Sequence, residues 1–234
     1  MNEPSTQKLK TIEAVARHFG ARCGDDPRDG HLLNGGKRIA VEVATLSDRV
    51  VGPGAATKPR LRFDKVARGL VARRKAGLGE LVPDGMTVVF TITARIRLAS
   101  QTAAAMEERI GTCLARRTAA KDFVDTIHEN RIRVRFVKSG ARRAAKVVGF
   151  VHNPDPSAGL LLDMTASLLR HIGAAAEKPA RSGSKRERWL VIVSPNGSRL
   201  FGTYRQVYAE LSLQTGFRKI LVMFQDGKVE TLSG

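Results

Sequence analysis

Two acidic residues near the N-terminus, Asp29 and Glu42, have the side chains and the spacing to hold a cation between them. They flank the stretch Asn34-Gly-Gly-Lys37, whose glycines supply the positive φ angles of a tight hairpin turn. With Gly35-Gly36 at the turn centre, Asp29 is directly opposite Glu42, and both side chains project to one face roughly 5 Å apart at Cβ. Because adjacent carboxylates repel unless a proton or a cation lies between them, we expect them to bind a divalent cation such as Mg²⁺.

The two strands of this hairpin must position the carboxylates, and their pairing register decides the geometry. A turn centred on Asn34-Gly35 would place Asp29 opposite Ala40, so the site depends on the register. In the favoured register His31 shares the carboxylate face and is a candidate ligand or base. The apolar residues of the hairpin share the opposite face and can pack on a core: Leu32, Ile39, Val41 and Val43.

Each of these acidic residues also has an ordinary structural interpretation. Asp29 is typical of a turn residue that precedes a strand. Glu42 lies inside an apolar stretch, and its alternative role is that of an ion-pair partner within the fold, with Arg38 as the candidate cation. A third acidic residue, Glu13, falls on a predicted helix over residues 6–21, where a solvated position is the alternative.

At these residues the sequence resembles the PD-(D/E)XK, or restriction-endonuclease-like, nuclease superfamily. Pro27-Arg-Asp29 stands where the family has Pro-Asp, and Glu42-Val-Ala44 stands where it has Glu-x-Lys. A predicted helix over residues 158–177, followed by the strand Trp189–Val193, is similar to the closing helix and strand of the family's core. The resemblance covers two segments, residues 6–46 and 158–194. It implies a mixed central sheet flanked by helices, and metal-dependent hydrolysis of phosphodiester bonds.

The resemblance also implies catalytic roles for Asp29, Glu42 and Glu13, with Asp29 and Glu42 as the metal ligands. The sequence departs from the family at Ala44, which occupies the lysine position. In the family that lysine positions or activates the attacking water and stabilises the developing charge. Lys178, at the end of the late helix, is the expected substitute. Without a substitute, the chain is a non-catalytic nucleic-acid-binding protein that has lost nuclease activity.

The charge of the chain favours a polyanionic partner. Forty Lys and Arg residues against 22 Asp and Glu residues give a net charge of +18. Residues 57–150 hold 21 of the basic and 8 of the acidic residues, a net +13, whereas the segments before and after carry +1 and +4. Aromatic residues make up only 5% of the chain, few for a protein that stacks single-stranded bases, so duplex DNA is the expected partner and RNA is left open. An acidic protein partner is the alternative.

Arginines in this basic segment are candidates for phosphate contact, because a guanidinium can donate two parallel hydrogen bonds. Residues 86–98 and 131–137 are predicted strands that each alternate an apolar face with an arginine face. A predicted amphipathic helix over residues 60–76 and a turn at residues 138–141 add further cations. The candidates are Arg95 and Arg97 on the first strand, Arg131, Arg133 and Arg135 on the second, Arg142 and Arg143 beside the turn, and Arg73, Arg74 and Lys75 on the helix. A solvated basic face that contacts no partner is the alternative interpretation.

The order of elements predicts an α/β fold, with a mixed central sheet flanked by helices. We assign residues 1–57 and 151–234 to a restriction-endonuclease-like core and residues 58–150 to a basic α+β insertion. Within the insertion, residues 100–128 are predicted to be mainly helical, with a break near Thr118.

Several other classes of protein lose support. The sequence has no Gly-x-Ser-x-Gly elbow and no His-Glu-x-x-His helix. Its two cysteines, Cys23 and Cys113, are too far apart for a Cys-x-x-Cys zinc site and fit a reducing compartment. No run of about 18 apolar residues occurs and residues 1–10 are polar, so we expect neither a transmembrane helix nor a signal peptide. We therefore expect a cytoplasmic protein.

Overall fold

The structure, a computed structural model, describes residues 4–24, 30–46, 61–62, 65–116, 122–138, 144–153, 158–178 and 187–234. Over this part of the chain the protein is mixed α/β, with five α-helices and two mixed sheets. The chain divides into two compact units. The first comprises Met1–Arg49, His171–Arg205 and Thr215–Gly234, and the second comprises Val50–Arg170 and Gln206–Gln214. No helix in the described part is long and apolar enough to cross a membrane.

Five helices and ten strands are assigned within the described residues. The helices are α1 (Pro4–His18), α2 (Lys65–Gly79), α3 (Ala99–Ala115), α4 (Ala158–Glu177) and α5 (Phe201–Leu211). The strands are β1 (Arg22–Cys23), β2 (His31–Asn34), β3 (Lys37–Thr45), β4 (Met86–Thr93), β5 (Phe123–Ile127), β6 (Asn130–Lys138), β7 (Val147–His152), β8 (Glu187–Val193), β9 (Lys219–Met223) and β10 (Val229–Ser233). A six-stranded sheet, β1-β2-β3-β8-β9-β10, belongs to the first unit, and a four-stranded sheet, β5-β6-β4-β7, belongs to the second. The α/β class is therefore confirmed, with two sheets in place of one central sheet.

β2 and β3 form the hairpin that the sequence predicts. The strands pair antiparallel with Leu32 opposite Ile39, which is the favoured register. Gly35 and Gly36 occupy the turn with φ angles of 54° and 75°, a left-handed conformation that residues with a side chain rarely adopt. The predicted register is confirmed over the described residues, whereas Asp29 lies outside them.

Apolar residues of the hairpin and of α1 form the core of the first unit. Its buried members include Ile12 and Val15 of α1, Leu32, Ile39 and Val41 of the hairpin, and Trp189 of β8. β8 runs parallel to β3 on one side and to β9 on the other. Because Val41 and Glu42 are consecutive in a strand, they project to opposite faces, so Glu42 lies on the sheet face away from α1.

In the second unit, α2 and α3 pack on one face of the sheet. β4 lies between β6, which is antiparallel to it, and β7, which is parallel. The core on this face includes Leu70 and Leu78 of α2, Met106 and Ile110 of α3, and Phe90, Ile92, Ile132 and Val134 of the sheet. The prediction of a strand with one buried apolar face is therefore confirmed for residues 131–137.

The predicted strand over residues 86–98 is wrong in its last part. β4 ends at Thr93, so Arg95 and Arg97 lie in the connection to α3. The buried side chain of Asn130 explains the early end. It accepts a hydrogen bond from the Arg97 N–H (2.8 Å) and donates one to the Arg97 carbonyl (2.9 Å), so the backbone groups that a longer strand would use are bound elsewhere.

The predicted helix over residues 100–128 is also wrong in its last part. α3 ends at Ala115, and Phe123–Ile127 forms β5, an edge strand paired with β6. Phe123 and Ile127 pack against the core while Val124 is exposed, which is the two-residue alternation of a strand.

The turn between β9 and β10 is bound to the loop after β8 through Asp226. Its carboxylate accepts hydrogen bonds from the backbone N–H groups of Ser198 (3.0 Å) and Lys228 (3.2 Å). The Ser198 side chain and these N–H groups favour the charged form and hold the pKa of Asp226 below its usual value. Such a carboxylate stabilises the fold above its unfolded pKa of about 3.9, and the stabilisation is lost as the pH falls through the folded pKa.

We expect Asp226→Asn to lower the free energy of unfolding at neutral pH by about 1 kcal/mol, because the amide is a weaker acceptor than the carboxylate. Between about pH 5 and about pH 2 the wild type should lose more stability than the variant. Urea unfolding across this range measures both effects. The control is Asp84→Asn, which removes an exposed carboxylate paired with Lys146 and should change stability by less than about 0.5 kcal/mol. Equal acid sensitivity of the wild type and Asp226→Asn would contradict the prediction.

Candidate functional site

The structure pairs Glu42 with Arg188, a residue that the sequence does not single out. In the parallel pairing of β3 with β8, Arg188 lies beside Ala40, two residues before Glu42 on the same face. The Arg188 Nη2 atom donates a hydrogen bond to Glu42 Oε1 at 2.5 Å, and the Arg188 and Glu42 side chains are only 15% and 25% exposed. The structural alternative for Glu42, an ion-pair partner within the fold, is the one that this geometry supports.

Two further contacts hold the Arg188 guanidinium in place. It lies over the ring of Phe217, 4.7 Å from the ring centroid, and its Nη2 atom is 3.4 Å from the carbonyl oxygen of Lys178. The contribution of Lys178 is therefore a backbone oxygen, while its side chain is exposed. The cation beside Glu42 is Arg188, in the place that the sequence assigns to Lys178.

The second carboxylate oxygen of Glu42, Oε2, is buried and has no hydrogen-bond partner within the described part of the chain. Burial of a carboxylate oxygen without a hydrogen-bond donor destabilises the fold. The single contact with Arg188 therefore provides much of the stabilisation that offsets the burial of Glu42. Glu42 therefore relies on Arg188 for its stabilising contact, whereas Arg188 has two other contacts besides Glu42.

The other predicted catalytic residues are not gathered at Glu42. Glu13 is exposed on α1, which packs on the opposite sheet face, so it cannot share a ligand with Glu42. Burial raises the pKa of the Cys23 thiol, and the negative charge of Glu13 raises it further, which places Glu13 near Cys23. His31 pairs with Ala40 in the hairpin, on the Glu42 face as predicted. Asp29 lies outside the described residues.

The described residues fit a divalent cation poorly. A cation at Glu42 would have to displace the guanidinium of Arg188 from Oε1. No group of three or more His, Cys, Asp or Glu side chains within the described ranges is arranged to hold a metal ion. Ala44 supplies neither a ligand nor the cation of the family's lysine position.

The arginine face of β6 is partly covered. Arg135 forms ion pairs with Asp122 (2.6 Å) and with Asp163 of α4 (2.5 Å), so it is not the open cation that the alternating pattern predicts. Arg133 is half-buried, and its Nε atom is buried without a hydrogen-bond partner in the described part. Of the three, Arg131 alone is exposed. The predicted phosphate-binding stripe is therefore reduced to one residue on this strand.

The predicted phosphate-binding arginines that lie outside β6 and α2 differ in whether their charge is open to a ligand. Arg95 and Arg97 are exposed, but both lie after the end of β4, and Arg97 pairs with Glu129 at 2.5 Å. Arg142 and Arg143 lie outside the described residues. The stripe of arginines shared between two neighbouring strands is thus not formed by Arg95 and Arg97.

Two of the three predicted cations on α2 are occupied. Arg74 is buried, because it falls on the apolar side of the helix with Leu70 and Leu78, and it binds Glu107 and the Ala103 carbonyl. Lys75 pairs with Glu210 at 2.6 Å. Arg73 is exposed, and its Nε atom donates to the carbonyl of Gly69 in the same helix.

A different set of cations on α2 is open to solvent. Lys65, Arg68 and Arg73 are exposed and lie outside the buried stripe of Leu70 and Arg74, and we call these three residues the α2 basic face. Lys65 and Arg68 have no ion-pair partner within the described residues. Their helical spacing is visible in the sequence, but the phase of the helix is needed to separate them from Arg74.

Comparison with family models, with curated proteins and with solved structures gave no match to this chain. The resemblance to the nuclease superfamily therefore has no independent support and stays a prediction. Function must be inferred from the geometry of the described residues.

Proposed function

We propose that the protein binds duplex DNA through the phosphate backbone, with the α2 basic face as the contact surface, and that it does not hydrolyse the DNA. The observation that carries the proposal is the composition of α2, which holds five basic residues and no acidic residue. Because Lys65 and Arg68 have no acidic partner in the described part, their charge is available to a polyanion.

The dimensions of the α2 basic face suit a nucleic-acid backbone. Lys65 and Arg73 are separated by about 12 Å along the helix axis, at about 1.5 Å per residue. A DNA strand carries one phosphate per about 3.4 Å, so cations spread over this length can each reach a different phosphate. The net +13 of residues 57–150 adds a long-range attraction to the same unit.

A duplex is favoured over a single strand because no aromatic ring among the described residues is more than partly exposed. Proteins that hold single strands stack successive bases on accessible aromatic rings. Phe90, Trp189 and Tyr204 are fully buried, and no aromatic side chain in the described ranges is exposed. Contact with the backbone of a duplex needs cations alone.

We propose that the protein does not hydrolyse DNA because of the residues at positions 42 and 44. We propose that the first unit is a restriction-endonuclease-like core whose carboxylate serves in the ion pair with Arg188 instead of binding a metal. The elements that support this are α1, the β2–β3 hairpin in the predicted register, and α4 followed by β8, which runs parallel to β3. Ala44, at the lysine position, supplies no charge for catalysis.

The proposal predicts that Lys65→Gln/Arg73→Gln weakens DNA binding by about tenfold or more at low salt, on all sequences alike. The slope of log affinity against log salt should fall by about 2, since two phosphate contacts are lost. Fluorescence anisotropy of a labelled 20-base-pair duplex at several salt concentrations measures both. The control is Lys10→Gln/Arg17→Gln, which removes the same charge from exposed positions of α1.

Equal weakening by the two double variants would contradict a defined α2 surface and leave only the total charge. If a duplex RNA of the same sequence binds more tightly than the DNA, RNA and not DNA is the partner. Binding of poly-L-glutamate as tight as that of DNA would favour an acidic protein partner.

A further inference from the structure

The second unit contains a pocket that shares only Arg68 with the α2 basic face. It lies between α2, the outer edge of β7 and residues 206–210 of α5, and its volume is about 350 Å³. Pockets for small organic ligands have volumes of about 300–1,000 Å³, so this one has the size for a compact molecule.

The walls of this pocket are mostly apolar. Its lining includes Ala67, Val71 and Ala72 of α2, Phe150 of β7 and Ala209 of α5. The alanines keep the pocket open, because their side chains end at Cβ. Such walls suit a ligand with an apolar body, which is transferred out of water on binding.

The edge of β7 adds one donor and one acceptor to the pocket. The carbonyls of Lys146 and His152 bond to the β4 side, whereas Val151 lies on the other edge, where its carbonyl accepts from the Arg62 N–H (2.8 Å). In a parallel pair, backbone groups of alternate residues point to alternate edges. Gly149 therefore points its N–H and C=O outward like Val151, and it lines the pocket.

The charge at the pocket is unbalanced toward positive. Lys75 and Glu210 both line the pocket, but they pair with each other at 2.6 Å and so neutralise one another. Arg62 and Arg68 are the other charged residues of the lining, and both are cationic. Arg68 has no acidic partner within the described residues. A ligand that complements this lining carries a negative group.

We propose that this pocket binds a small organic anion, which seats an apolar body against the α2, β7 and α5 walls and directs a carboxylate, sulfonate or phosphate group to Arg68. The Gly149 edge accepts or donates one further hydrogen bond to a polar atom of the body. The site shares Arg68 with the α2 basic face, but its apolar walls are not part of that face, and it takes a ligand of a different chemical class.

The probe that matches this chemistry is 8-anilinonaphthalene-1-sulfonate, with its uncharged analogue N-phenyl-1-naphthylamine as the partner probe. We expect saturable binding of one sulfonate molecule per chain, measured by fluorescence titration. Arg68→Gln should weaken sulfonate binding by about tenfold, a loss of about 1.4 kcal/mol, and leave the neutral analogue unchanged. The control is Arg73→Gln on the same helix, which does not line the pocket and should change neither.

A second variant fills the pocket. Ala209 is exposed, so Ala209→Trp places a large ring in the pocket without entering the core, and it should abolish binding of both probes. Ala209→Phe serves as the replacement if the tryptophan variant loses its cooperative thermal unfolding. Unchanged binding in the filled variant, or equal effects of Arg68→Gln and Arg73→Gln, would overturn the proposal. Probe binding in the expected pattern without any DNA binding would support the pocket and overturn the proposed function. DNA binding without the expected pattern of probe binding would support the proposed function and overturn the pocket.

Discussion

Replacing Gly149 with alanine is expected to lower the free energy of unfolding by about 3 kcal/mol. A Cβ atom at this position would lie 2.2 Å from Cζ of Phe90 and 2.6 Å from both Cε atoms of the ring. Phe90 is the register partner of Gly149 on β4 and is fully buried, so the ring cannot turn aside without displacing its neighbours in the core. The glycine is required here by the ring that covers it.

The matched control is Gly79→Ala, because a Cβ atom at Gly79 meets nothing within 4 Å. That substitution at the end of α2 should be neutral or stabilising by up to about 1 kcal/mol. Urea unfolding of the three chains measures the difference. A loss for Gly149→Ala no larger than that for Gly79→Ala would contradict the prediction.

A double-mutant cycle isolates the contact between the two residues. Phe90→Leu alone should cost about 1 to 2 kcal/mol, because it leaves a small cavity. In that background Gly149→Ala should cost less than about 1 kcal/mol, since the smaller side chain leaves room for the added methyl group. Additive losses would mean that the alanine acts through the backbone and not through the ring.

The hairpin of the first unit could be predicted because its information is local. The two glycines at the turn fix the register, and the alternation of apolar residues fixes the face. Leu32 and Ile39 are buried as the pattern requires. The environment of Glu42 could not be predicted in the same way, because its partner Arg188 is 146 residues distant in sequence and is brought near only by the parallel pairing.

The arginine pattern of the second unit shows the same division. Alternation assigns Ile132 and Val134 to the core, and both are fully buried. It also assigns Arg135 to the opposite face, but it cannot reveal that Asp163 of α4 pairs with that residue. The two-residue period of a strand gives the direction in which a side chain points. Whether the charge of that side chain is open to a ligand depends on which distant segment packs over it.

On helix α2, the sequence pattern predicts the wrong side of the helix for one basic residue. The sequence pattern groups Arg74 with the basic side, yet the structure buries it beside Leu70, where Glu107 of α3 compensates its charge. An ion pair can thus hold a basic residue on an apolar face, and composition alone does not distinguish this from a solvated position.

Removing Arg188 is the second large effect that we expect. Arg188→Met should lower the free energy of unfolding by about 3 kcal/mol, because it leaves the half-buried Glu42 carboxylate without a cation and with Oε2 still unpartnered. Glu42→Gln should cost less, about 1 to 2 kcal/mol, since Arg188 keeps the Lys178 carbonyl and the Phe217 ring. The double variant Glu42→Leu/Arg188→Met should recover most of the loss, because no unpaired charge remains.

The exposed pair of Arg97 and Glu129, with side chains 65% and 70% exposed, provides the control. Arg97→Met should change stability by less than about 0.5 kcal/mol, because surface ion pairs contribute little. Urea unfolding of the four variants decides the order. A loss for Glu42→Gln larger than that for Arg188→Met would contradict the asymmetry between the two partners.

The same variants test the hydrolytic hypothesis against the structural one. If Glu42 serves only the ion pair with Arg188, then Mg²⁺ or Mn²⁺ should leave the thermal midpoint of the wild type unchanged, and Glu42→Gln should respond identically. A metal role predicts instead that the ions raise the thermal midpoint of the wild type and that Glu42→Gln removes this increase. It also predicts that Ala44→Lys nicks supercoiled plasmid, because residue 44 lies on the same strand face as Glu42. That second pattern would contradict the structural role of Glu42, since the carboxylate would then exchange the guanidinium for a metal ion.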